Sequence, residues 1–485
     1  MKLNLKAIFS ILGLLLILNG GFMLLCLPVS FYYRDGQWDS LLLAGLLTLS
    51  IGAFAYFITK GKSNGGLSKR DGYVVVTMGW LCMSFFGTLP YVVSGEIPNF
   101  SDAFFETLSG YTTTGASILN DIESMSKGIL MWRSLTQWIG GMGIIVLTVA
   151  ILPLLGIGGM QLFVAEAPGV TPDKLKPRIT DTAKRLWLIY LGLTLLEAGL
   201  LKIGGMSYFD AINHSLTTMA TGGFSTKQAS IAYFSSPFIQ YVIIVFMFLA
   251  GTNFTLTYFG LHGRLKKVWD NEEFKYYLGF TLGFAILVTA VVYLVSDSSV
   301  ELAFRDSLFQ LVSIITTTGF VTADYTSWAP LLTVLFFMFM FIGASTGSTA
   351  GGVKVVRHVI LLKNSILELR RQIHPNAVLP VRLNKLAVSS DITFNIMAFM
   401  IIYFMVFALG ATLLSALGYD FNTSIGAVAT CLGNIGPGIG KVGPMDNFAF
   451  ISAPGKWILS FLMLLGRLEL FTVLILFTPY FWTKH

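Results

Sequence analysis

Charge is what this sequence has least of. Only 12% of its 485 residues are Asp, Glu, Lys or Arg, against 54% hydrophobic, whereas a soluble domain carries about a quarter charged residues. So few charges cannot cover a water-facing surface, and lipid is the remaining solvent. Cysteine is equally scarce. Cys26, Cys82 and Cys431 lie in apolar or small-residue surroundings without paired spacing, which excludes a disulfide framework and a thiolate metal cluster. The five histidines are scattered, with no His-x-x-x-His pair. No nucleophile–base constellation, metal-ligand cluster or nucleotide loop is present, so the expectation is a protein that is not an enzyme and holds no cofactor.

Long apolar runs take the place of charge. A spanning helix needs about 20 mostly apolar residues, and 8–33, 40–59, 73–93, 186–201, 238–260, 277–295, 331–344, 393–417 and 456–482 qualify. The glycine-rich stretch from Ile139 to Met160 makes about ten. The first run is long and lacks a small-residue cleavage site, so it reads as a mature span rather than a signal peptide. Basic residues cluster in alternate connections, around Lys60 to Arg70, Lys174 to Arg185, Arg264 to Lys267 and Lys354 to Lys385. The connections between them are acidic, among them Asp102, Asp210, Asp306 and Asp446. The positive-inside rule puts the basic set and both termini in the cytoplasm. The acidic set outside would concentrate cations at a pore mouth.

Four outer connections repeat one pattern. They run Phe100 to Gly115, Phe209 to Gly223, Arg305 to Gly319 and Asn422 to Gly436, and end in Thr-Thr-Thr-Gly, Ala-Thr-Gly-Gly, Thr-Thr-Thr-Gly and Gly-Asn-Ile-Gly. Asp102, Asp210, Asp306 and Thr423 each precede their glycine by 13 residues and are suited to N-capping. Thirteen residues make a helix of roughly 20 Å, too short for a hydrocarbon core of about 30 Å. One such segment reads as a polar helix end with a glycine cap. Four in one register, each between two apolar spans, read as re-entrant half-helices followed by loops. Irregular backbone at membrane depth needs protein or a watery cavity around it, and four loops converging on one axis meet that need. The half-helix C-termini, each carrying about half a negative charge, favour a cation there, and glycine lets carbonyls turn toward the axis.

At these loops the sequence resembles the Trk/Ktr/HKT superfamily of potassium transporters, most closely the bacterial Trk-type membrane subunits. The resemblance covers almost the whole chain. It implies an all-α polytopic membrane protein with four degenerate span–half-helix–loop–span repeats around one pore. Each loop then supplies one strand of a filter: Thr113, Thr114 and Gly115; Thr221, Gly222 and Gly223; Thr317, Thr318 and Gly319; Asn434, Ile435 and Gly436. Potassium would be the substrate ion at these residues. Some sodium-passing members carry serine at the position of Gly115, so glycine here favours potassium. The two spans before Asp71 match the extra pair of the Trk branch. The corresponding units are 1–70 for that pair, then 71–165, 166–265, 266–375 and 376–485 for the four repeats. The resemblance also implies a bacterial inner (plasma) membrane location, a homodimer with one pore per protomer, and a cytoplasmic ring of NAD- or ATP-responsive regulatory subunits.

Two further features stand out. Repeat 3 continues through Gly343, Ala344, Ser345, Thr346, Gly347, Ser348, Thr349, Ala350, Gly351 and Gly352, a polar break in the middle of a span. Glycines four apart also suit close helix packing; the alternative is a flexible intramembrane gate beneath the filter, which the resemblance implies. Gly347 to Lys354 lacks the Gly-Lys-Ser/Thr order of a phosphate loop. Arg467 falls near the middle of the last span, where arginine costs at least about 2.5 kcal/mol unless it has a partner or cavity. It either snorkels to an interface or faces the pore as a barrier working with the gate, and the resemblance supports the pore. Glu197 is placed to pair with a basic residue or line a cavity, and His214 to hydrogen-bond locally. The function expected is passive, potassium-selective uptake. The alternative is a symporter coupling potassium to protons or sodium, for which Glu197 and Glu469 are the only carboxylates well inside spans.

Overall fold

The computed structural model describes residues 3–59, 68–143 and 179–483. Among them, six helical stretches are long and apolar enough to cross a bilayer: Leu5–Tyr33, Trp38–Thr59, Lys69–Ser94, Ala183–Ile203, Glu272–Val295 and Ser390–Ala416. The protein is an all-helical, polytopic membrane protein; its one sheet, among the described residues, is the two-residue pairing of Arg382–Leu383 with Leu386–Ala387. The N-terminal pair packs through glycines. A Cβ on Gly13 would lie 2.7 Å from Gly52 O, and one on Gly20 2.7 Å from Gly45 O, so small residues bring the two backbones together.

Burial is inverted relative to a soluble protein. Glu272–Val295 and Ser390–Ala416 are only 22% buried, and the apolar faces they leave open suit lipid. The half-helices, with their Ser and Thr, lie inside. They are Phe100–Tyr111, Tyr208–Met219, Val300–Ile315 and Phe421–Gly433, hereafter half-helices 1 to 4. Neighbouring repeats interlock in a ring. Lys127–Gly141 packs on half-helix 2, Pro237–Ala250 on half-helix 3, and Ala453–Arg467 on half-helix 1. Between repeats 3 and 4, Tyr325 donates its hydroxyl to Gly438 O at 2.6 Å.

The caps differ from expectation. Asn99, Ser207, Ser299 and Asp420 hold the N-cap positions. Their side-chain oxygens accept from Ser101 N at 2.9 Å, Asp210 N at 3.0 Å, Leu302 N at 3.3 Å and Thr423 N at 3.1 Å. Asp102, Asp210 and Thr423 therefore sit at the third helical position, where the helix dipole favours a carboxylate in the first two. Asp306 lies well inside half-helix 3, which begins a turn earlier than the others. The backbone leaves the helix for extended geometry at the upstream residues, so they, not the aspartates, meet the orphan N–H groups.

Three expected spans are broken or short. The run 238–260 is Pro237–Ala250 and Phe254–Leu261, bent by 112°, and 456–482 is Ala453–Arg467 and Phe471–Phe477, bent by 111°. The run 331–344 is helical only over Pro330–Phe339. The helix expected to start at Ile139 begins at Lys127 and is described to Gly141; the rest of 139–160 lies outside the described residues. An apolar window starts late here because Arg133 and Gln137 interrupt it, yet both are buried against polar partners.

Candidate functional site: four loops, a crossing segment and an arginine

Each half-helix ends the same way. Thr113 N donates to Gly110 O and Thr114 N to Ser109 O; Thr221 and Gly222, Thr317 and Thr318, and Asn434 and Ile435 repeat this on Thr218 and Thr217, Ile314 and Ser313, and Cys431 and Thr430. The first residue of each pair is left-handed, with φ of 52°, 53°, 55° and 55°, and so is each loop glycine, with φ of 79°, 75°, 81° and 98°. Left-handed residues at alternate positions turn successive N–H groups to one side of the strand and carbonyls to the other. The N–H groups face back into the half-helix. Among the described residues, no donor takes the carbonyls of Thr113, Thr221, Thr317 or Asn434.

The loops meet one another in a closed cycle. A Cβ on Gly115 would overlap Gly222 O, one on Gly223 would overlap Thr318 O, and one on Gly319 would overlap Ile435 O. One on Gly436 would sit 2.9 Å from Thr114 O. Each glycine thus abuts the carbonyl just before the glycine of a neighbouring loop, in the order 1, 2, 3, 4 and back to 1. The twelve residues expected to form a filter are brought together, and all are buried except Gly115, Gly223 and Gly319, which keep partial access. Threonine hydroxyls pair behind them, Thr112 with Thr114 and Thr316 with Thr318, both at 2.8 Å. Asn434 Nδ2 donates to Thr114 Oγ1 at 3.0 Å and to Met463 O at 2.9 Å.

Beside these loops the chain crosses without helix from Met340 to Lys354. Helix packing of Gly343, Gly347 and Gly351 is therefore not realised. The segment touches repeats 2, 3 and 4 directly and reaches repeat 1 through Arg467. Thr349 Oγ1 donates to Met219 O at 3.0 Å and Ala250 O at 3.2 Å. Gly351 N donates to Thr317 Oγ1 at 2.7 Å, and a Cβ on Gly351 would lie 2.7 Å from Asn434 Cβ. Arg467 links it to repeat 1, with Nη1 on Thr349 O at 2.8 Å and on Thr113 Oγ1 at 3.0 Å. Further bonds hold the segment: Ser345 N to Gly251 O at 3.0 Å, Phe254 N to Gly347 O at 3.0 Å and Gly343 N to Val353 O at 2.7 Å. Lys354 Nζ caps Ala350 O.

Arg467 is the last residue of its helix, at the bend in the middle of the last apolar run. The chain turns there through Glu469 and Leu470, both at φ 55°. Glu469 pairs with Arg357 of helix Val355–Ile373. Arg467 Nη2 donates to Gly140 O at 2.6 Å and Gly141 O at 2.9 Å, carbonyls at a helix C-terminus, which favour a cation. With its guanidinium directed at four interior oxygens, it does not snorkel.

Four residues here, Gln137, Arg133, Glu106 and Glu273, are not singled out by the sequence. Gln137 donates Nε2 to Gly222 O at 2.6 Å and accepts from Phe224 N at 3.0 Å. Arg133, one turn before it, forms a buried pair with Glu106 at 2.7 Å. Glu273 accepts from Thr346 N at 2.6 Å. A polar pair four apart in an otherwise apolar run was the available signal for Arg133 and Gln137. His214 hydrogen-bonds locally, as expected: Nδ1 meets Asp210 O at 2.7 Å and Nε2 meets Ser225 Oγ at 2.9 Å. Glu197 is fully buried and has no ion-pair partner among the described residues.

A ring of re-entrant loops inside a sheath of lipid-facing helices defines a membrane protein built around a path for a small solute. Residues 40–484 match the TrkH family, described as cation transport proteins, and the chain belongs to that family. It is 43% identical to the Trk system potassium uptake protein TrkH of Salmonella typhimurium (strain LT2), over 99% of this chain and 100% of that one. It is 34% identical to the Trk system potassium uptake protein TrkG of Escherichia coli (strain K12), over 99% of both. The crystal structure of the potassium transporter TrkH from Vibrio parahaemolyticus superposes with a TM-score of 0.88 at 38% identity, covering 100% of both chains.

Proposed function

We propose that this chain is a potassium-selective uptake protein that conducts passively through the ring of Gly115, Gly223, Gly319 and Gly436. The observation that carries this reading is the closed cycle of glycine-to-carbonyl approaches. It lets four strands approach one another with no side chain between them, as a filter whose carbonyls replace an ion's hydration shell requires. Half-helix C-termini aimed at the same place add negative potential. The potassium named for its relatives agrees with glycine at position 115.

The segment 343–352 is the gate, and Arg467 is the charged bolt that holds it under the loops. An arginine beside the ring also repels cations while it stays there. The interior-negative potential supplies about 2.3 kcal/mol per charge per 100 mV, so no coupling ion is required. The protein sits in a bacterial inner membrane with both termini cytoplasmic and with the repeat boundaries given above. It works as a homodimer with one pore per protomer, under a cytoplasmic NAD- or ATP-responsive ring.

The test is rubidium uptake into liposomes containing only this purified chain, with potassium, sodium and lithium as competitors. Uptake driven by membrane potential alone, and blocked far better by potassium than by sodium or lithium, is expected. Uptake that needs an imposed proton or sodium gradient would replace the channel reading with symport.

A further inference from the structure

Behind the ring, the side chain nine residues before each loop glycine differs from repeat to repeat: Glu106, His214, Gln310 and Ala427. The first three reach forward to the chain just past their own loop. Glu106 accepts from Ser117 Oγ and Ile118 N, both at 2.9 Å. His214 Nε2 meets Ser225 Oγ at 2.9 Å, and Gln310 Nε2 donates to Thr322 Oγ1 at 3.3 Å. Ala427 has no group to do so. The strongest of these braces is in repeat 1, where Arg133 joins it.

Arg133 belongs to repeat 1 but holds two loops. Its Nε donates to Glu106 Oε1 at 2.7 Å and its Nη2 to Ser117 Oγ at 3.2 Å. Its Nη1 crosses to repeat 2 and donates to Ser225 O at 2.9 Å. The guanidinium lies over the Phe224 ring, 3.6 Å from its centroid. Phe224 and Ser225 directly follow Gly223, and Ser117 follows Gly115 by two. Side-chain exposure is 3% for Arg133 and 0% for Glu106. One turn on, Gln137 grips Gly222 O and Phe224 N from the same helix face. One helix therefore fixes the spacing of loops 1 and 2 from behind.

We propose that Glu106 and Arg133 are specificity-determining positioning residues: a buried ion pair that holds loops 1 and 2 at the separation that suits potassium and not the smaller sodium. Neither residue touches the ion. A planar guanidinium with three nitrogens engaged by oxygens of fixed position resists the inward shift that sodium coordination demands. Loss of one charge leaves the other buried without compensation, and the loops then relax toward each other. The proposal rests on the reading of these loops as a filter.

The experiment compares wild type, Glu106→Gln and Arg133→Lys in liposomes, measuring rubidium uptake per inserted protein and its inhibition by sodium relative to potassium. Glu106→Gln keeps the shape and an acceptor for Ile118 N but removes the charge. Arg133→Lys keeps the charge but loses the fork to Ser117 and Ser225. The expected result is a fall in potassium-over-sodium preference of roughly tenfold in either variant, with uptake retained. A purely structural role would lower the amount inserted and leave the ratio of the surviving protein alone. An unchanged ratio in inserted variants, beside a wild type that discriminates, overturns the brace and leaves the filter reading standing. If Glu106→Gln does not insert, Arg133→Lys decides. A wild type without potassium preference overturns the filter reading and the brace together.

Discussion

Thr113, Thr221 and Thr317 occupy the left-handed region with β-branched side chains, where a sparsely populated conformation costs on the order of 1–3 kcal/mol per residue. Their hydroxyls show what the strain achieves. Thr113 accepts from Arg467 and Thr317 from Gly351 N, so the strained residue of two loops is also the tether to the crossing segment. At the glycines the demand is different. Gly115 combines φ 79° with a neighbour's carbonyl where its Cβ would be. Gly115→Ser is expected to push loops 1 and 2 apart and reduce potassium-over-sodium preference by about tenfold, an effect of about 1.4 kcal/mol, with the protein still inserted. Competition of sodium against rubidium uptake checks this. These residues were legible in the sequence because the same small motif recurs four times in one register. Arg133 and Glu106 were not, because each looks like an ordinary charge near the end of a run until folding brings them together across 27 residues.

At the scale of elements, two features carry consequences. The crossing segment 343–352 was legible as a break, but its contacts with repeats 2, 3 and 4, and through Arg467 with repeat 1, depend on how the spans around it fold. Shortening it within 345–350, which disrupts the bonds at Thr349, or replacing Arg467 by Ala, which removes the bond to Thr349 O, is expected to raise rubidium uptake several-fold at equal protein. A lasting fall in uptake with intact insertion would contradict a gating role. The capping pattern points three residues too far along in half-helices 1, 2 and 4 and seven too far in half-helix 3, because any of several polar residues near a helix start satisfies it and only the backbone exit selects one. Asp420 is the one carboxylate among the four caps. Hydrogen bonds from Thr423 hold its folded-state pKa below the ordinary carboxylate value. Its contribution is therefore fully present above the unfolded-state value and is lost as pH falls through the lowered folded value. Thermal stability in detergent should decline over that acidic window, and Asp420→Asn, which keeps a cap, should remove this component. An identical acid profile in the variant would assign the decline to other groups.

For the whole molecule, the sequence conveyed the architecture through what it could not do. With so few charges it had to be clothed in lipid, and with half-helices too short to span it had to gather irregular backbone around an axis. The places where spans bend were not legible. Apolar sequence resumes directly after Gly251–Asn253 and after Arg467–Glu469, so each run reads as one span, yet both pairs turn by more than 110°. At the second, the paired Glu469 and the interior contacts of Arg467 accompany the turn. The second spans of repeats 2 and 4 bend, and that of repeat 3 ends at Phe339, where the crossing segment begins. The four-loop ring is where the half-helices, the crossing segment and Arg467 meet.

The most direct test of that ring is diffraction from crystals of this chain grown with thallium or rubidium ions, with the anomalous signal locating the ion. The account predicts density on the axis enclosed by the backbones of Gly115, Gly223, Gly319 and Gly436, lost when sodium replaces the heavier ion. Ordered density elsewhere in the protein, with none between the four loops, would contradict it.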